Sequence, residues 1–221
     1  MSFDKRKIPI YKRVLSYLKP VWLKNEVGYT NPHLELLLYK DRIQLATEDA
    51  LYSDGKYYTP GVAVADYLKP FLPKVNSMLI LGVGLGSTVQ IMEERGYEPL
   101  FTLVELDKVV LKLALEFLAA NTATKLNPYC EDAKVFMDNN TEKFDLIFVD
   151  IFDGREVPDF ATSTDFLMKC RESLKPGGRL ALNFIINDMM KWTTTQINFA
   201  SAFPKHHIIS NSINRIFITK E

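Results

Sequence analysis

The sequence predicts an α/β fold in which a mostly parallel sheet is covered by helices on both faces. Three observations carry that expectation. After residue 75, short apolar runs alternate with helical patterns. The run "LILGVGLGS", Leu79 to Ser87, stops at three glycines spaced two apart, as a strand does when it turns into a helix beside a ligand. The last two apolar runs, "HHIIS" and "NRIFITK", are joined by only a few residues around Asn211-Ser212, too few for a parallel crossover, so they pair antiparallel.

Each element follows from its local pattern. Strands are expected at 78–82, 100–105, 144–150, 179–184, 206–210 and 214–219, and helices at 86–96 and 106–120. In "LDKVVLKLALEFLAA", Val109, Leu113 and Phe117 form one stripe, with Val110 and Ala114 beside it. The segment 162–174 reads as a helix with Thr162 or Ser163 as its N-cap, and it stops at Lys175-Pro176-Gly177-Gly178. Upstream, "NPHLELLLYKDRIQLATEDA" alternates around a polar Lys40-Asp41 break, which predicts a β-hairpin of 33–39 and 42–47 preceded by a basic helix near 9–19. "TPGVAVADYLKPFLP" reads as a helix leading into the first core strand. The expected division is an N-terminal helix and hairpin appendage over 1–60 and a main domain over 61–221.

Composition narrows the function. Lys+Arg and Asp+Glu both number 27, so the chain gives no electrostatic reason to expect nucleic acid or an anionic membrane as partner, and a small or neutral substrate is the simpler expectation. Cys130 and Cys170 lack CxxC spacing and read as reduced thiols, and no metal site is legible. The basic N-terminal stretch is interrupted by Pro9 and Pro20, which leaves neither a signal-peptide core nor a membrane span, so a cytoplasmic location is expected.

The glycine turn asks for a ligand. Gly82, Gly84 and Gly86 let backbone N–H groups and a helix N-terminus approach a bound molecule with no Cβ in the way. Ser87 breaks the dinucleotide pattern G-x-G-x-x-G, and no Gly-Lys-Ser/Thr follows to make a phosphate loop. Glu105 ends "FTLVEL" roughly 20 residues on, where doubly wound folds place a carboxylate for ribose hydroxyls. Asp132 could accept from an adenine amino group while Ala133 offers backbone; taken alone, Asp132 reads as a turn or N-cap residue.

These elements, with "FDLIFVD" and "LKPGGRLALNF", resemble the Rossmann-like class I S-adenosylmethionine-dependent methyltransferase fold, whose seven-stranded sheet runs 3-2-1-4-5-7-6 with a reversed last strand. The resemblance implies that the turn cradles S-adenosylmethionine. The hairpin and "VDIFDGREVPDFATSTDFLMKCRESLKPGG" narrow it to the spermidine synthase-like branch, whose hairpin glutamine, nearby tyrosine and Asp-x-x-Asp correspond here to Gln44, Tyr52, Asp150 and Asp153. It implies that Asp150 deprotonates or holds an acceptor amine and Asp153 helps bind it, that Gln44 serves the cofactor, and that Tyr52 and Asn183 serve the substrate. Tyr57, Tyr58 and Phe152 could wall the pocket, and His33, His206 and His207 read as hairpin and strand residues.

Leu85 departs from that branch, whose members carry an aspartate there for the amine of decarboxylated S-adenosylmethionine. Loss of that charge-assisted bond would cost roughly 1.5–3 kcal/mol. The sequence reading is therefore an S-adenosylmethionine-dependent methyltransferase acting on a small molecule. A divergent polyamine aminopropyltransferase and a non-catalytic binding or oligomerisation protein are the alternatives, and a homodimer is what the family resemblance suggests.

Overall fold

The computed structural model describes residues 7–220 other than 31, 49, 122 and 123, and the backbone alone at Asn121; the first six residues of the basic N-terminal stretch lie outside the described part. Its main sheet has seven strands: β5 (Ser77–Leu81), β6 (Leu100–Glu105), β7 (Leu126–Cys130), β8 (Phe144–Val149), β9 (Leu174–Ile185), β10 (His206–Asn211) and β11 (Asn214–Thr219). They lie in the order β7-β6-β5-β8-β9-β11-β10, which is the expected 3-2-1-4-5-7-6. The pairs from β7 through β9 are parallel, and β11 is antiparallel to both β9 and β10.

Alternation along the central strands builds two cores at once. Leu79, Leu81, Ile147, Val149, Leu180 and Leu182 face one layer, packed with side chains of α5 (Ala133–Asn139), α6 (Thr164–Glu172) and α7 (Met189–Ala202). Met78, Ile80, Leu146, Phe148 and Ala181 face the other, with α2 (Thr59–Tyr67), α3 (Ser87–Glu94) and α4 (Lys108–Asn121). Strands buried on both faces read as continuous apolar runs, which is why "SMLIL" and "FDLIFV" are legible. The N-cap of α6 is Ser163, whose hydroxyl accepts from Phe166 N.

The structure departs from the sequence reading at three places. Strand β7 is not anticipated: "LNPYC" carries a proline and no branched apolar run, and it is tolerated because it sits at the sheet edge. Strand β9 begins at Leu174, and Lys175 to Gly178 form an irregularity within its pairing to β8, where Phe144 faces Leu174 and Leu146 faces Arg179. The N-terminal hairpin is the centre of a four-stranded antiparallel sheet of β1 (Val21–Glu26), β2 (Leu34–Tyr39), β3 (Arg42–Ala46) and β4 (Leu51–Ser53). Its two-residue turn places Lys40 and Asp41 at φ of 49° and 57°. Asp41 is fixed there by a two-pronged bond from Arg13, at 2.8 Å for each prong, on the short helix α1 (Ile10–Leu15).

Candidate active site

A cavity of about 640 Å³ opens beyond the carboxyl ends of β5, β6 and β8, where an open α/β sheet places its ligand. The glycine turn forms one wall and does so by close backbone approach. Gly82 has φ +87°, and a Cβ there would stand 2.2 Å from the Asp150 carbonyl oxygen. Gly84, at φ +54°, would bring a Cβ to 2.7 Å from the Tyr52 carbonyl oxygen. Gly82 and Gly84 line the cavity; Gly86 does not, because it is the αL residue ahead of α3 and lies against Leu118 of α4.

Leu85 corrects the sequence reading. It is only 1% exposed and belongs to the apolar cluster that joins Leu34, Leu36 and Leu38 of β2 to Val110, Leu113 and Phe117 of α4. It is not among the cavity-lining residues, so it offers no hydrocarbon wall to a bound amine. The side chain at this position staples the small sheet to the main domain.

One end of the cavity is built on β6. Glu105 accepts from Val83 N at 3.0 Å and Asp107 N at 3.1 Å, and burial raises its pKa above the ordinary value against the effect of those bonds. Its carboxylate thus ties the glycine turn to the end of β6 with lone pairs to spare for a diol. Asp107 accepts from Val109 N at the start of α4 and from Thr30 N at 3.0 Å, which lays the 29–30 segment against the cavity. Burial opposes its ionisation, but the backbone bonds from Thr30, Val109, Val110 and Tyr29 outweigh it and hold its pKa down. Asp132 is the N-cap of α5, accepting from Lys134 N at 2.7 Å and Val135 N at 3.2 Å, and with Ala133 it also lines the cavity.

The other end is built on Asp150, just beyond β8. Its Oδ1 accepts from Asn183 Nδ2 at 2.9 Å and from the Tyr58 hydroxyl at 3.2 Å, while Oδ2 takes no bond among the described residues. Burial pushes its carboxyl up to about 6, against the pull of those two donors. Asn183 is 1% exposed and does not itself line the cavity, which it meets through the side chains it bonds. Asp153 lines the cavity and also closes a turn, exchanging backbone bonds with Glu156 at 2.8 and 3.0 Å around Gly154.

Two expected partners sit differently. Tyr52 lines the cavity, but its hydroxyl accepts from Gly154 N at 3.0 Å; the phenol that meets Asp150 is that of Tyr58. Gln44 stands outside the lining and donates to Asp54 Oδ1 at 2.7 Å, and Arg42 pairs with the other oxygen of Asp54 at 2.9 Å. Asp54 itself lines the cavity.

Charge is the property that the composition concealed. Asp54, Glu105, Asp107, Glu131, Asp132, Asp150 and Asp153 all line this cavity, against Arg155 as the one basic residue of the lining among the described residues. The balanced composition of the whole chain does not hold locally at this cavity. A dense anionic cleft with low-dielectric walls concentrates cations.

Comparison with known proteins separates the readings that the fold leaves together. The spermine/spermidine synthase domain family matches residues 64–202. The chain belongs to the spermine/spermidine synthase family. A polyamine aminopropyltransferase of Vibrio vulnificus is 29% identical over 133 residues, covering 59% of this chain and 44% of the relative. A probable spermidine synthase from Corynebacterium glutamicum shares the fold with a TM-score of 0.71 at 17% identity, over 90% of this chain and 79% of that one. Human methyltransferase-like protein 13, solved with SAH, also shares it, with a TM-score of 0.61 at 18% identity over 75% of this chain and 80% of that one. The chain spans about half or less of the length of most of the curated relatives it matches.

The expectation of a small-molecule methyltransferase is therefore corrected. It rested chiefly on Leu85, which packs in the core outside the cavity lining, and it is overturned by the match to the spermine/spermidine synthase family and by relatives that are polyamine aminopropyltransferases. Sequence reasoning also passed over Asp54, Asp107 and Asn214. The first two are isolated acids without a motif, and Asn214 opens the last strand, where no pattern marks a polar residue as functional.

Proposed function

We propose that this site transfers an aminopropyl group from decarboxylated S-adenosylmethionine to an amine of a small polyamine such as putrescine. The observation that carries the reading is the anionic cavity, seven acidic side chains against Arg155 among the described lining residues, even with Asp54 already paired to Arg42, in a chain of this family. A decarboxylated donor brings a sulfonium and an ammonium, and the acceptor brings further ammonium groups. The carboxylate of ordinary S-adenosylmethionine would be repelled in the same place.

The Gly82–Gly84 backbone forms the floor for the donor's nucleoside, with Glu105 taking the ribose hydroxyls and Asp132 and Ala133 beside the base. Asp150 Oδ2 holds the acceptor amine. In the reaction, the amine nitrogen forms a bond to the propyl carbon next to sulfur, and the carbon–sulfur bond breaks. Its electron pair returns to sulfur, leaving a neutral thioether. The proton lost by nitrogen passes to Asp150, whose carboxyl near 6 is suited to take it around neutral pH. Most of the acceleration comes from alignment of nitrogen, carbon and sulfur, which can supply roughly 7–11 kcal/mol.

Calorimetry tests the donor assignment. Decarboxylated S-adenosylmethionine is expected to bind at least tenfold more tightly than S-adenosylmethionine, about 1.4 kcal/mol. Equal affinities, or a preference for the carboxylated form, would contradict it.

A further inference from the structure

Asp150 is the near end of a chain of side-chain bonds that crosses the sheet. Asn183 on β9 donates Nδ2 to Asp150 Oδ1 at 2.9 Å, and Asn214 on β11 donates its own Nδ2 to Asn183 Oδ1 at 2.8 Å. Both asparagines are buried, at 1% and 9% exposure. Asn214 also lines the cavity, and its strand pairs with β9 such that Asn214 lies opposite Ile185.

The polarity of this chain is forced. A carboxylate only accepts, so the face of the Asn183 amide turned to Asp150 must be NH₂, and the face turned away must be the carbonyl oxygen. An amide can flip, and a flipped Asn183 would set its oxygen against the Asp150 carboxylate. The donor on the far side opposes the flip: with Asn183 reversed and Asn214 unmoved, two NH₂ groups would confront each other in a buried position, so both amides would have to turn together. We propose that Asn214 is a positioning residue for this site, fixing through Asn183 which atom meets Asp150 and so keeping that carboxylate oriented toward the acceptor amine.

The inference rests on the aminopropyl reading for its purpose, but the bond chain is independent of it. Loss of the Asn214 donor frees Asn183, weakens its bond to the charged form of Asp150 and raises the pH at which Asp150 ionises. The titratable groups sharing the cavity with Asp150, among the described residues, are Tyr52 on β4, Asp54 after it, Tyr57 and Tyr58 ahead of α2, Glu105 and Asp107 around the end of β6, Glu131 and Asp132 ahead of α5, and Asp153 and Arg155 beyond β8. The lining residues of β9 and β11, Ile185 and Asn214, are uncharged, so a neutral replacement at 214 changes the bonding without changing the field.

The test is carbon-13 NMR titration of the Asp150 carboxyl, assigned by its loss in Asp150→Asn, in the full chain and in Asn214→Leu. This measurement needs no substrate, so its failure is distinct from failure of the aminopropyl reading. The Asp150 midpoint is expected to rise by at least half a pH unit in Asn214→Leu, roughly threefold in proton affinity. Asn214→Ala removes the same donor without crowding and serves if the leucine variant does not fold; it is expected to shift the midpoint in the same direction. A folded variant at 214 with an unmoved midpoint, even with altered melting, would overturn the positioning role.

Discussion

Gly82 and Asp150 lie backbone against backbone: Asp150 N donates to Leu81 O at 2.8 Å, and the space a Gly82 Cβ would need is taken by the Asp150 carbonyl oxygen. The turn that floors the donor site and the carboxylate proposed to hold the acceptor are thus set side by side by two neighbouring parallel strands.

Gly82→Ala is therefore expected to disturb both ends of the site. A Cβ 2.2 Å from a backbone oxygen, at φ +87°, forces the ends of β5 and β8 apart. A loss of about 2–4 kcal/mol in stability is expected, read as a lowered urea midpoint. A midpoint unchanged from the parent would show that the contact is slack.

Tyr58→Phe removes one of the two donors on Asp150 Oδ1. Its bond favours the ionised carboxyl, so its loss raises the pH at which Asp150 ionises. The acid limb of the pH–rate profile is expected to move to higher pH, and turnover below that limb to fall about tenfold, roughly 1.4 kcal/mol. An unmoved limb would separate Tyr58 from the titrating group.

Glu105→Ala leaves Val83 N–H and Asp107 N–H without their acceptor and removes the group assigned to the ribose. Affinity for an adenosyl ligand is expected to fall at least tenfold by calorimetry, about 1.4 kcal/mol. Retained affinity would assign the ribose elsewhere.

Asp150→Asn carries a stability signature. The folded carboxyl titrates near 6 and the unfolded one near about 3.9, so between these values the folded protein holds more protons and stability falls as pH rises. The ionised aspartate thus costs the fold stability at neutral pH, on the order of 2 kcal/mol, and the neutral amide of the variant escapes that cost. The variant is expected to match the parent near pH 4 and to exceed it near pH 8 in denaturant midpoint, while losing turnover. Equal midpoints at both pH values would place Asp150 in a solvated setting.

Sequence made the central strands plain because burial on both faces leaves long apolar runs, and the glycine turn plain because close approach of backbones excludes a Cβ. Edge strand β7 stayed hidden, since an edge tolerates Pro128 and demands little apolar character. At the site, the resemblance singled out Asp150 and Asp153, and its distance from the glycines singled out Glu105; all three line the cavity. Leu85 misled because a residue inside a glycine turn can face either the ligand or the neighbouring layer, and only the fold shows that it packs under β2. The anionic character of the cavity was invisible because its acids come from separate stretches between residues 54 and 153.

The central claim is aminopropyl transfer, and the direct measurement is release of methylthioadenosine from decarboxylated S-adenosylmethionine, followed with and without putrescine and longer amines. The account predicts amine-dependent release matched by formation of the aminopropylated amine, and its abolition in Asp150→Asn with donor affinity kept within a few-fold. Binding of the donor with no amine-dependent release from any amine tried, or undiminished release by Asp150→Asn, would contradict it.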